Sequence, residues 1–260
     1  MSPIEPLGDV QIAAYLARIG IETVAEPGIG SLRELQRRHL QTVPFENLSI
    51  HLGEPVSLAI GDLFDKIVTR RRGGFCYEVN GLFASLLSAL GYRVSLLGGG
   101  VYREGRLGPP FDHLALAVDG WLCDAGFGRL SGYPLRLDTD ASQDDPCGTF
   151  TVATLPGGDL DVSLDGTPQY RLEARPRALA DFVPTCWWQQ SDPDSHFRKG
   201  PVCSRLTETF GTLTLADRSL TSTEGTRREQ TVLDTDLDVL RGYREQFGMV
   251  LDRVPVPVPR

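Results

Sequence analysis

Apolar residues recur along this chain at two different spacings, and the change comes near residue 91. Upstream the spacing is helical. Ile12, Tyr15, Leu16 and Ile19 form a stripe three and four residues apart, with Asp9 as its N-cap and Gly20 as its stop. Ser31-Leu32-Arg33-Glu34 has the spacing of a capping box and predicts a helix to about His39. Asp62, Leu63, Phe64, Ile67 and Val68 predict another short helix. Val79, Leu82, Phe83, Leu86 and Leu90 are the apolar face of a longer one, starting near Phe75 and ending at Gly91.

Downstream the period falls to two. Tyr92-Arg93-Val94-Ser95-Leu96-Leu97 alternates, and Gly98-Gly99-Gly100 is expected to break the strand. Strand-like runs at 114–123, 150–155 and 170–174 lie between Gly, Pro and Asp clusters, the pattern of a small antiparallel barrel or sheet. The acidic stretch 138–148 reads as a surface loop. Beyond residue 176 the chain mixes strand-like Thr212-Leu213-Thr214-Leu215 with a final helix at 234–246, which carries Leu237, Leu240 and Tyr243 on one side. Of the pair Trp187-Trp188, one ring is expected in the core and one at the surface. The alternating Val-Pro tail at 254–259 cannot continue a helix and reads as extended. The fold class is α+β, in three parts: helical 1–91, β-rich 92–175, and mixed 176–260.

Composition narrows the chemistry. The 260 residues carry a net charge of −8, which disfavours nonspecific attraction to nucleic acid or membrane. Any anionic ligand therefore needs a local basic or helix-N-terminal site. No apolar run approaches the roughly 20 residues that span a bilayer, and the N-terminus has no signal-peptide pattern, so a cytoplasmic location is expected. The five cysteines are odd in number, widely spaced and without a C-x-x-C pair, which argues against a disulfide scaffold and a structural zinc site.

One of those cysteines stands apart. Cys76 falls in or just before the first turn of its helix, after Gly73-Gly74, where unpaired N–H groups and the helix dipole favour a thiolate. Partners come from residues 112–128, where two apolar runs flank Asp119-Gly120, a strong signal for a two-residue hairpin turn. Counting outward pairs Val118 with Trp121, Ala117 with Leu122, Leu116 with Cys123, and Ala115 with Asp124. His113 shares a face with Ala115, so His113 and Asp124 become diagonal neighbours about 7–8 Å apart at the backbone. A base and its orienter are thereby paired. His39 and His51 read as exposed or loop histidines.

Arg71-Arg72-Gly73-Gly74-Phe75-Cys76-Tyr77-Glu78-Val79-Asn80, His113 and Cys123-Asp124-Ala125-Gly126-Phe127-Gly128 follow Val43-Pro44-Phe45-Glu46-Asn47-Leu48 in one order. This set, extending weakly into Pro193-Asp194-Ser195-His196-Phe197, resembles the arylamine N-acetyltransferase family. The resemblance implies a Cys76-His113-Asp124 triad, acetyl-CoA as the acyl donor with no metal, and a fold in which the third part is an α/β lid over a helical bundle and a barrel. It implies that Phe45, Tyr77, Phe127 and Phe197 wall the acyl and aromatic pocket. Gly126 and Gly128 are expected to let backbone approach the substrate. Buried charges are rarely left unpaired, and the resemblance implies an ion pair between Glu46 and Arg72 that holds the nucleophile loop. An amide synthase using an acyl carrier protein as donor, and a catalytically silent binding module, are the alternative readings.

Overall fold

The computed structural model describes residues 4–128 and 131–258. The N-terminal part contains α1 (Asp9–Arg18), α2 (Ile29–Thr42), β1 (Phe45–Glu46), α3 (Leu48–Leu52), α4 (Ile60–Phe64), which runs on into a π-turn at Asp65–Thr69, and α5 (Cys76–Ala89). Helix α5 is the centre of this part. Every side chain from Cys76 to Leu87 is buried, because α1, α2, α4 and strands of the neighbouring sheet cover it on all sides. A helix so enclosed must satisfy its own first turn. Glu78 does so by accepting the Phe75 N–H at 3.2 Å, and Lys66 neutralises it at 2.6 Å.

The middle part contributes β2 (Val94–Arg103), β3 (Arg106–Leu107), β4 (His113–Val118), β5 (Trp121–Cys123), β6 (Leu135–Arg136), β7 (Gln143–Asp145), β8 (Gly148–Thr154), β9 (Leu160–Leu164) and β10 (Thr167–Arg177). They pair antiparallel in the order β6-β5-β4-β2-β10-β9-β8-β7, and the sheet curls into a nearly closed barrel with β6 against β8. Leu97, Ala115, Phe150, Val162 and Leu172 fill its interior.

The C-terminal part holds α6 (Val183–Ser191), β11 (Val202–Leu206), β12 (Thr212–Ala216), β13 (Ser219–Glu224), β14 (Arg227–Val232) and α7 (Asp236–Phe247). Its four strands extend a second antiparallel sheet whose first strand is β1, with Phe45 opposite Ser204. A segment of the N-terminal part thus belongs to the C-terminal sheet. No helix among the described residues is long and apolar enough to cross a membrane.

Three of the counted hairpin pairs form, Leu116 facing Cys123, Ala117 facing Leu122 and Val118 facing Trp121, while Asp124 lies just past the end of β5 and its pair with Ala115 is not part of the ladder. Asp119 and Gly120 both have positive φ, as a type I′ turn requires. Elsewhere local signals were overruled. Gly8, not Asp9, caps α1, with the Gln11 side chain accepting its N–H. Helix α2 starts at Ile29 and reaches Thr42; Ser31 donates instead to the Glu26 carbonyl and Glu34 pairs with Arg37, so the capping box does not form. Strand β2 runs straight through Gly98-Gly99-Gly100. A Cβ on Gly99 would lie 2.6 Å from the Arg171 carbonyl, so close strand approach is the reason for glycine there.

His39 and His51 are buried, not exposed. His39 bonds the Tyr15 hydroxyl at 2.8 Å and packs on Phe83, and burial, reinforced by Arg18, lowers its pKa to about 3. His51 places its ring nitrogens against the carbonyls of Phe197 and Val256, tying the tail to the body. The stretch expected as an acidic loop contains β7, which pairs with β8. In α7, Leu237 is 65% exposed, and Val239, Tyr243 and Phe247 form the buried stripe. Trp187 is exposed and Trp188 half-buried. The tail is without regular structure through residue 258; the rest of it lies outside the described residues.

Candidate active site

Three elements meet at the N-terminus of α5. Cys76 is its first residue and is only 2% exposed. The Leu114 backbone, next in sequence to His113, is close enough to the thiol to favour its ionised form. Gly126 completes the approach. A Cβ there would sit 2.6 Å from the Cys76 Cα and 2.8 Å from the Asn80 amide nitrogen.

His113 Nε2 lies 2.6 Å from Asp124 Oδ2, with both side chains almost wholly buried. The carboxylate cannot turn. Its Oδ1 accepts from Asn80 Nδ2 at 2.9 Å and from the Gly126 N–H at 2.8 Å. Asn80 also donates to the Leu114 carbonyl at 2.6 Å and accepts the Ala125 N–H at 2.8 Å. One amide, a single helical turn beyond Cys76, therefore ties α5 to both strands of the hairpin. Its i+4 spacing from the cysteine, which puts both on one helix face, is the signal that could have found it.

Burial is the dominant electrostatic influence on the thiol. It pushes the Cys76 pKa well above the ordinary value; the Leu114 backbone opposes this, and the charges of Asp124 and Asp112 add to it. Burial thus works against the thiolate that the helix terminus favours. A neighbouring base is needed, and His113 with Asp124 has the arrangement of one. In the first turn the Glu78 and Val79 N–H groups are taken by the Phe75 carbonyl, whereas those of Cys76 and Tyr77 precede the first intrahelical bond.

Aromatic rings surround this centre. Phe127 lies 5.1 Å from the His113 ring and 4.9 Å from Tyr170, and Tyr170 lies 4.9 Å from His113. Burial and then the Asp124 charge keep the Tyr170 hydroxyl protonated, and among the described residues it closes no hydrogen bond of normal length. Phe197, on a short turn at His196–Arg198, packs 5.2 Å from Phe75 and 6.1 Å from Phe45. Phe45 also lines Gly128. Tyr77, expected as a wall residue, is fully buried, and its hydroxyl donates to the Phe111 carbonyl at 2.6 Å.

Beneath the site the Glu46–Arg72 pair is present at 2.9 Å, within a larger buried network. Arg72 also reaches Glu54 at 3.1 Å, and Lys66 lies between Glu78 at 2.6 Å and Glu46 at 3.9 Å. Lys66 and Glu78 gave no sequence signal of pairing, since their separation fits no regular helix. Among the described residues no cluster of three or more His, Cys, Asp or Glu is gathered as for a metal ion.

A groove of about 740 Å³ opens from Phe45, Phe127 and Gly128 across the face of β11–β14. Its floor carries Ser204, Thr214, Thr221 and Gln230 in one cross-strand row. Replacing Gly126 with alanine should cut turnover about a hundredfold, since a displacement near 1 Å at the reacting centre has that cost. Unchanged turnover with a normal melting temperature would refute the close-packing argument.

A family profile described as N-acetyltransferase matches residues 28–256. An arylamine N-acetyltransferase of Escherichia coli strain K12 is 34% identical, with 92% of this chain and 88% of that protein covered. The Salmonella typhimurium arylamine N-acetyltransferase structure superposes with a TM-score of 0.87 at 28% identity, covering 96% of this chain and 94% of that one. The Mycobacterium marinum enzyme in complex with CoA gives 0.82 at 31%, with 92% of each chain covered. With a profile match across most of its length and relatives of this identity, the chain belongs to the arylamine N-acetyltransferase family.

Proposed function

We propose that this protein transfers the acetyl group of acetyl-CoA to the amino group of an arylamine, hydrazine or related amine, in two steps through an acyl-cysteine on Cys76. The observation that carries this reading is the fixed His113–Asp124 pair, tied by Asn80 to the first turns of the helix that begins at Cys76. His113 takes the thiol proton, and Asp124 stabilises the resulting imidazolium. The sulfur attacks the thioester carbonyl, the tetrahedral oxyanion is held by first-turn N–H groups, and the CoA thiolate leaves with the proton from His113. In the second step the amine attacks the acyl-cysteine, His113 accepts the amine proton, and Cys76 is regenerated.

The walls explain why transfer competes with hydrolysis. Phe127 and Tyr170 pack on the His113 ring and Phe197 on Phe75, an apolar lining that in this reading slows hydrolysis until an amine arrives. The groove over β11–β14 accommodates an extended donor arm, its row of hydroxyls and amide offering partners to amide groups. The intact relay speaks against a silent binding module. An amide synthase would form the same adduct from a carrier-protein-bound donor, so offering the two donors separately distinguishes them.

Mass spectrometry after incubation with acetyl-CoA and no amine tests the reading. One acetyl group should appear on Cys76 and be discharged by an added arylamine; absence of the adduct on Cys76 overturns the mechanism.

A further inference from the structure

Beyond the Asn80 clamp, one more hydrogen bond ties the nucleophile's helix to the chain that delivers the base. Tyr77, which follows Cys76, donates its hydroxyl to the Phe111 carbonyl at 2.6 Å, and Phe111 lies two residues before His113. The chain makes a tight turn there, with the Asp112 N–H closing on the Pro109 carbonyl at 3.3 Å. Pro110 takes the second position of that turn and Phe111 the third, where φ is +62°. This is the type II pattern, whose third position favours glycine because a Cβ is strained at positive φ. A phenylalanine there is an outlier, and such residues persist only where their surroundings hold them.

The surroundings do so at three points. The Phe111 ring packs edge-on against Phe182 at 5.3 Å, and the Arg177 guanidinium lies 4.8 Å from its centroid. Phe182 also lies 5.7 Å from the Tyr77 ring, so one ring braces both ends of the hydrogen bond. Next in the chain, the Asp112 carboxylate is 1% exposed and held from two sides, by Arg103 at 2.5 Å and by Gln189 Nε2 at 2.7 Å. Strand β4 begins immediately afterwards, at His113. Glycine would make this turn without strain but would leave the entry to β4 free to adopt other conformations. A residue pinned by its carbonyl, its ring and the neighbouring carboxylate fixes that entry in one.

We propose that Tyr77 and Gln189 are positioning residues for the reaction: by locking the turn at 109–112 they set where the His113 imidazole stands relative to the Cys76 sulfur. This rests on the acetyl-transfer reading above, in which His113 takes the thiol proton. The role is geometric, and neither side chain exchanges a proton in either step.

The test measures two rates in the wild type, Tyr77→Phe and Gln189→Met: single-turnover acetylation of Cys76 by acetyl-CoA without amine, and alkylation of Cys76 by iodoacetamide across pH, both followed on the Cys76 peptide by mass spectrometry. The first variant keeps the ring and the second keeps the side-chain volume, so the packing is conserved. Acetylation should slow about tenfold in each, the scale of one hydrogen bond, with the acetyl-CoA concentration for half-maximal rate unchanged. The acid limb of the alkylation profile should move to higher pH, because a base held out of place stabilises the thiolate less. Asp124, Asp112 and Cys186, the other titratable groups whose charge reaches the sulfur, are present in all three proteins.

An alkylation profile unmoved in both variants overturns the assignment, whatever the acetylation rates and melting temperatures, since lost packing or a lost pocket wall does not by itself shift that limb. Should Tyr77→Phe fail to fold, Gln189→Met carries the same test, because it leaves the Phe111 carbonyl bonded. Alkylation needs no acyl donor. Absence of an acetyl adduct on Cys76 in the wild type therefore sinks the acetyl-transfer reading, while the profile still decides the positioning.

Discussion

Replacing Asp124 with asparagine should lower turnover by about four orders of magnitude and leave the fold standing. The size follows from the tautomer that the imidazole must hold. His113 Nε2 bonds Asp124 Oδ2, so in the neutral ring Nε2 carries the proton and Nδ1 is left to take one from sulfur. In the variant the amide oxygen is drawn to the Oδ1 position, where the Asn80 amide and the Gly126 N–H both donate. The new NH2 group then faces Nε2, which must become an acceptor, and the ring proton moves to Nδ1. A ring in that form cannot deprotonate the thiol. The acyl-cysteine should form several thousandfold more slowly by stopped-flow or quenched mass spectrometry, with the melting temperature close to that of wild type. Near-normal acylation would show that the thiol is activated by some other group.

Arg72→Met should cost about 3–5 kcal/mol of stability, the penalty for leaving a buried charge without its close partner. That corresponds to a melting temperature lower by roughly 10 °C for a chain of this size. Glu46 would keep the Leu48 N–H at 2.6 Å and Lys66 at 3.9 Å, neither of which replaces a guanidinium at 2.9 Å. Burial by itself would raise the Glu46 pKa, but Lys66, Arg72 and the Leu48 N–H outweigh it and the net direction is down. The sign of the pH dependence follows. A carboxyl with a lowered folded-state pKa adds stability that is fully present above its unfolded value and is lost as pH falls through the folded one. The variant should therefore show a flatter acid limb in thermal denaturation as pH falls through and below the ordinary carboxylate range. Turnover measured well below the variant's melting temperature should persist, because Arg72 supports the loop before Cys76 and touches no reacting atom. Lost activity at unchanged stability would refute that role.

Local chemistry was readable wherever a residue's neighbours in sequence are also its neighbours in space. Asp119-Gly120 specifies a tight turn, and side chains alternate along strands, so the pairing of β4 with β5 could be counted before any coordinates. The same holds for the start of α5, where Gly73-Gly74 precedes an apolar stripe. Capping was less legible. The Ser31 and Glu34 side chains had competing partners, the Glu26 carbonyl and Arg37, and those partners won.

Sequence alone determined which groups could do chemistry and that His113 and Asp124 would share one face of a hairpin, because both facts rest on covalent order and on strand periodicity. Tertiary structure alone decided that this hairpin lies over the first turn of α5, that Asn80 clamps it there, and that Phe45 joins a sheet whose other strands begin some 150 residues later. It also decided the state of the groups. Burial pushes the Cys76 pKa up and the His39 pKa down to about 3, whereas their positions along the chain suggested a thiolate and a solvated ring. Desolvation is set by everything packed around a side chain, and most of what packs around these residues comes from distant segments of the chain.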